Sequence, residues 1–324
     1  MEVLQINHEN LVDDMTITSP GSSFIEANTI EMSLDEIQTK HIVPVFTKDN
    51  ETAISLSDFI QGTYDAVSSH YSGMQILAPQ IRVSHPIKGR IPEARNKPAK
   101  ELLEHEKTIF YERMAFLIEV PEISKEINGN KLSIVVGGVK AYNEDNLYAK
   151  KGTLEHFKIF IGFQNKVCLN LCVWTDGLKL DVKVNSLDEL IRLIHDLIRN
   201  FQAEAYLQTL SEFAKLHITE RQFAQIVGKA KLYQFLSQAD KKDIPQLMFG
   251  DYHLSTIAKD YYGGISFCRD VKGNINLWNL YNLFTSANKS SYIDKFLERG
   301  LNASEFVAGI GKAIVQGTPH WFLD

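Results

Sequence analysis

Only three cysteines occur in the 324 residues: Cys168, Cys172 and Cys268. So sparse and odd a set excludes a disulfide framework and fits a reducing, cytoplasmic setting. Cys168 and Cys172 fall on what reads as one strand, four residues apart. Their Cα atoms should then lie about 13 Å apart, beyond disulfide reach, so buried free thiols are expected. No stretch approaches the roughly 18 uninterrupted apolar residues of a membrane span. The first ten residues have neither a basic nor an apolar signal region, so no membrane partner and no secretory leader is expected.

The motifs of familiar chemistry are missing as well. Gly311-Lys312 and Gly228-Lys229 imitate the end of a phosphate-binding loop. The glycine needed five places earlier is Phe306 in one and Phe223 in the other, and Ala313 and Ala230 replace the required Ser or Thr. No G-x-G-x-x-G, H-E-x-x-H, C-x-x-C or G-x-S-x-G occurs. His195, beside the apolar Ile194, reads as a half-buried structural imidazole. Asp176 reads as turn chemistry and Asp181 as a solvent-facing strand residue. No catalytic residue, cofactor site or metal ligand is therefore assigned.

What is present is regular alternation. Phe157, Ile159, Ile161 and Phe163 alternate, as do Val167, Leu169, Leu171 and Val173, then Leu178, Leu180, Val182 and Val184. Successive strand side chains point to opposite faces, so each run predicts a strand with one apolar face. Gln164-Asn165-Lys166 and Asp176-Gly177 are the expected turns between them. Ser186 with Glu189 predicts a capping box for a helix whose apolar stripe runs from Leu187 to Phe201, continuing or kinking through Phe213. Upstream, residues 111–120 and 132–142 predict two more strands around Asn128-Gly129, and Gly137-Gly138 suggests a bulge or a close backbone approach. The fold class is α+β: an antiparallel meander of about five strands packed by a long helix, followed by a mainly helical C-terminal part. The expected units are an acidic, partly flexible extension over 1–40, an α+β core over 41–216 and helices over 217–324. Within that last unit, Thr219 with Gln222 and Asn302 with Glu305 predict helix starts, and residues 265–269 a small strand.

Charge is unevenly spread. Residues 1–80 hold twelve acids against two bases, a net of −10, whereas the rest of the chain carries +4. Residues 81–100 hold six bases, Arg82, Lys88, Arg90, Arg95, Lys97 and Lys100, against the single acid Glu93. Three prolines in the same stretch, Pro86, Pro92 and Pro98, predict a long exposed loop. Such a loop could follow phosphates, so these six residues are the candidate nucleic-acid contacts. Aromatics do not interleave with them, which argues against reading single strands by stacking.

Several segments carry a family likeness. They are Phe24-Ile25-Glu26-Ala27-Asn28-Thr29, Ser84-His85-Pro86-Ile87-Lys88-Gly89-Arg90-Ile91-Pro92-Glu93-Ala94, Ile161-Gly162-Phe163-Gln164-Asn165, and the run over 277–291 that opens Leu277-Trp278-Asn279-Leu280. Together they resemble an uncharacterised family of bacteroidete-type bacteria common on conjugative and integrated elements. Val167-Cys168-Leu169-Asn170 and residues 278–291 are more loosely similar to a phage- and plasmid-borne family of unknown function. The resemblance implies a role in mobile-element biology and supplies no catalytic residues. Three functions follow as expectations: non-enzymatic nucleic-acid binding through residues 82–100, a protein-interaction or anti-defence role for the acidic N-terminus, and an enzyme built from separated polar residues such as Asn282, Asn288 and Lys289.

Overall fold

The computed structural model describes residues 23–41, 54–145, 154–263 and 268–324. The acidic stretch through residue 22 and most of the small strand expected over 265–269 lie outside them. In chain order the described elements begin with β1 (Ile30–Met32), α1 (Leu34–Lys40), α2 (Leu56–His70), β2 (Gln80–Val83), β3 (Pro86–Arg90), β4 (Lys107–Tyr111), β5 (Arg113–Ile127) and β6 (Asn130–Ala141). They continue with β7 (Glu155–Asn165), β8 (Leu171–Val184), α3 (Leu187–Asn200), α4 (Ala203–Phe213) and β9 (His217–Ile218). The C-terminal part holds α5 (Glu220–Tyr233), α6 (Asp251–Gly263), β10 (Ile275–Asn276), α7 (Leu277–Asn288) and α8 (Ile293–Gln316).

Six strands pair antiparallel in the order β1-β2-β5-β6-β7-β8, and β3 with β4 forms a separate two-stranded ribbon. The fold is α+β, with one more strand in its main sheet than the alternation predicts. Asn128 (φ 49°) and Gly129 (φ 77°) supply the two left-handed residues of a tight hairpin and set Ile127 opposite Asn130.

The three strands expected over 157–184 are two. Residues 166–170 form the connection between β7 and β8, so Cys168 lies in a turn and only Cys172 lies on a strand. Asn165 explains the break: its side-chain carbonyl accepts the Val167 amide at 2.9 Å and its backbone carbonyl accepts the Leu169 amide at 2.8 Å. Leu169 takes a left-handed φ of 55° there, and Val167 is left exposed. Asp176-Gly177, predicted as a hairpin turn, is a bulge inside β8. Gly162 faces Val173 and Phe160 faces Leu178, so β8 carries three more residues than β7 over that interval. A Cβ at Gly177 would stand 2.3 Å from the Ile161 carbonyl oxygen, and Asp176 accepts the Gln202 amide at 3.0 Å just ahead of α4.

One face of the sheet presents Phe116, Ile118, Phe157, Ile159, Ile161 and Phe163 to α2 and α3, which bury Phe59, Ile60, Leu190, Ile194 and Leu197 against it. Each such side chain taken from water stabilises the fold by about 1.5–3 kcal/mol. Phe59 meets Phe116 and Phe157 edge-on at centroid distances of 5.0 and 4.9 Å. It reaches that depth because Gly138 has no side chain: a Cβ there would lie 2.3 Å from Phe59 Cζ. The ladder runs unbroken through Gly137 and Gly138, so this pair marks a close approach and not a bulge.

The opposite face, with Leu117, Val135, Phe160 and Val173, is covered by Ile293, Phe296 and Leu297 of α8 together with Phe24 and Ile25. Ser186 caps α3 by accepting the Glu189 amide at 3.3 Å, but Glu189 returns its carboxylate to Asn185, so the expected box is open. Thr219 and Gln222 form a closed box. Asn302 starts no helix; it lies inside the continuous α8, where its amide donates to Gln246 O and accepts from the Met248 amide. The buried apolar cluster on the α2–α3 side runs on through Phe213, Trp278, Phe284 and Val307, joining the sheet to the C-terminal helices. Among the described residues no helix is long and apolar enough to cross a membrane.

Candidate nucleic-acid interface

The six predicted bases do not share one loop. Arg82 lies on β2, an interior strand, opposite Glu31 on one side and Ala115 on the other. Its guanidinium donates to Thr29 Oγ1 at 3.0 Å and to Thr29 O at 2.8 Å, and stands 3.8 Å from the Glu31 carboxylate. Arg82 is therefore a tie between strands. Proline failed to exclude this structure because Pro86 is the first residue of β3, while Pro92 opens one 3-10 turn and Pro98 precedes another.

Beyond Arg82 the chain forms the β3–β4 ribbon, in register from Pro86 opposite Tyr111 to Arg90 opposite Lys107. Residues 91–106 connect its strands through three 3-10 turns. Arg90 donates to the Lys97 carbonyl, and Lys97 pairs with Glu106, whose carboxylate also accepts the Leu103 amide at 2.9 Å. Lys97 and that amide hold the Glu106 carboxyl below the ordinary glutamate value. Two of the ribbon's cations thus hold its connection together.

The other three stand apart. Lys88, Arg95 and Lys100 are exposed, and none forms a hydrogen bond or ion pair with a described residue. Lys107, outside the six predicted bases, joins the ribbon opposite Arg90 and pairs with Glu104. The alternation of Thr108 and Phe110, both buried, is the signal that could have placed it on a strand. Phe110 and Tyr111 point inward, so the exposed side of the ribbon carries cations without aromatic rings.

A hollow of about 240 Å³ lies at the root of the ribbon, lined in part by Thr29, Ser84, His85, Glu112 and Arg113. Arg113 is matched there by Glu112 at 2.7 Å and Asp294 at 3.2 Å, two carboxylates to one cation, which leaves the hollow unsuited to phosphate. His195 is partly exposed on α3, in an open cleft with Arg192, Asp196 and Arg199.

The polar residues of the enzyme hypothesis do not converge. Asn288 is buried and donates to Phe296 O at 2.9 Å, and the buried Lys289 reaches Cys168 O at 2.5 Å; these contacts pin the end of α7 to α8 and to the β7–β8 turn. Asn282 alone faces a cavity. Among the described residues no three of His, Cys, Asp and Glu gather to hold a metal ion.

No curated protein and no solved structure matches the chain. A family described as "Domain of unknown function, B. Theta Gene description" matches residues 5–323, and the chain belongs to that family.

Proposed function

We propose that the protein binds duplex DNA through its phosphates, without reading bases, as a non-enzymatic cytoplasmic component of a mobile genetic element. The contact surface is the β3–β4 ribbon with its connection. The observation that carries this reading is the exposure of Lys88, Arg95 and Lys100 without a hydrogen-bond or ion-pair partner among the described residues. Cations with no described carboxylate to release can neutralise phosphate at little internal cost. A two-stranded ribbon is also of a size that the major groove of B-form DNA, about 12 Å wide, admits. Burial of Phe110 and Tyr111 removes the stacking platform that single strands need, which favours duplex. The mobile-element setting rests on the family likeness of residues 84–94 and 277–291.

Three phosphate contacts imply a salt slope of about −2.7, hence an affinity loss of about 40-fold between 50 and 200 mM salt. Fluorescence anisotropy with a labelled duplex measures it directly. The Lys88→Ala, Arg95→Ala, Lys100→Ala triple variant should lose binding at low salt, and a single-stranded probe should bind no better than duplex. Binding by the triple variant equal to wild type, or affinity indifferent to salt, would refute the proposal.

A further inference from the structure

A second, separate site lies where the β7–β8 turn meets α6 and α7. A cavity of about 150 Å³ opens there, lined in part by Cys168, Asn170, Asp260, Cys268 and Asn282. Acceptors dominate its described lining, beside the Ser286 hydroxyl and the two thiols. Asn170 is 1% exposed; its amide nitrogen donates to Asn282 O at 3.1 Å, and its side-chain oxygen has no hydrogen-bond partner among the described residues. A buried carbonyl oxygen without a donor is an uncommon and unfavourable arrangement in a folded protein. Asn282 commits its amide nitrogen to Trp278 O at 2.9 Å, leaving Oδ1 with long contacts only, 3.5 Å to Asn165 and 3.9 Å to the Cys168 thiol. Asn279, also in the lining, directs its amide nitrogen at Cys268 O. Asp260 forms no hydrogen bond or ion pair with a described residue, and burial pushes its pKa up.

Among the described residues the lining thus offers one unpartnered amide oxygen, a second held only by long contacts, and an unpaired carboxylate, all acceptors. Their complement is a ligand with several N–H donors and a positive charge. The cavity's size limits it to a small head group, and the flanking Leu283 and thiols suit a flat, weakly hydrated cation better than a compact ammonium.

We propose that this cavity binds the amidinium or guanidinium group of a small organic ligand, held by Asn170 Oδ1, Asn282 Oδ1 and the Asp260 carboxylate. The inference is independent of DNA binding. The neighbouring cation Lys289 does not compete, since its ammonium is turned to Cys168 O and stands 3.6 Å from Glu26.

The test uses the full chain and acetamidinium as probe, with neutral acetamide as the matched control. Saturable binding of acetamidinium by calorimetry, with little or none for acetamide, is the expected result. Asp260→Asn keeps the shape and lies on a partly exposed helix position, so it should fold as wild type while weakening acetamidinium roughly tenfold. Occupancy should also slow alkylation of Cys168, which locates the ligand. Absence of saturable binding, equal affinity in Asp260→Asn, or unprotected Cys168 would each overturn the assignment; the last two would place any bound probe elsewhere.

Discussion

Lys158 is the most exacting place to test the account of the sheet. It stands on β7 with its side chain 2% exposed, and its ammonium lies 2.7 Å from Glu144, 3.2 Å from Glu298 and 2.5 Å from the Asp294 carbonyl. One cation thus holds a strand, the turn after β6 and the first turns of α8. Lys158→Met keeps the stem and removes the charge, leaving two carboxylates facing one vacated point. Repulsion between two charges about 6 Å apart at an effective dielectric of about 20 is about 3 kcal/mol. Breaking a buried ion pair by removing one partner typically destabilises by about 3–5 kcal/mol. Glu298 keeps Lys295 at 3.2 Å and Glu144 keeps His156 at 3.4 Å, which argues for the lower end, about 3 kcal/mol. Urea denaturation at neutral pH would read this as a lower midpoint at unchanged slope. Adding Glu144→Gln and Glu298→Gln to the same chain should restore most of the loss, because the two carboxylates no longer face each other and the only lysine to lose a partner is the half-exposed Lys295. A single variant within about 0.5 kcal/mol of wild type, or a triple variant no better than the single, would refute the reasoning.

Two further perturbations address the other face and its margin. Gly138→Ala would place a methyl 2.3 Å from Phe59 Cζ in a site where Phe59 is fully buried, so a loss of about 1–3 kcal/mol is expected; adding Phe59→Leu should recover part of it in a double-mutant cycle, and additive losses would count against the contact. His41 stacks between Tyr111 and Tyr142 at 6.1 Å from each, and burial pulls its pKa from 6.5 down to about 4. The unfolded chain therefore takes up this proton first as pH falls. The stability it confers is complete at neutral pH, declines below about 6.5, and is lost by about pH 4, amounting to at most about 3 kcal/mol. Urea midpoints at several pH values for wild type and His41→Gln should diverge in that window, and parallel curves would dismiss the effect.

Some of this architecture was legible in the residues and some was not, for identifiable reasons. The Asn128-Gly129 hairpin and the Thr219 cap were readable because each rests on chemistry within four residues. Val167 and Leu169 continue an alternation that belongs to neighbouring strands, and only the side chain of Asn165, turned onto the backbone, stops the strand before them. Asp176-Gly177 satisfies a hairpin and a bulge equally well, since both need a residue without a Cβ; the partner strand decides. The basic segment misled for a different reason. Its counter-charges, Glu31 and Glu106, lie outside the window that showed the excess and engage Arg82 and Lys97, while Arg90 is taken up by the Lys97 carbonyl. The cavity beside Asn170 was invisible because its lining comes from three segments spread over more than a hundred residues.

The irregular ladder between β7 and β8 bears on how readily another strand could add at that edge. Its main sheet ends in β1, only three residues long, and in β8, which is long enough to template an incoming chain. Two register breaks interrupt β8, and Asp181 and Lys183 stand exposed along its outer half. A visiting strand would find no continuous run of evenly spaced amides and carbonyls, and would bring its backbone up against fixed charges. The extra residues in β8 thus make this edge a poor template for a further strand.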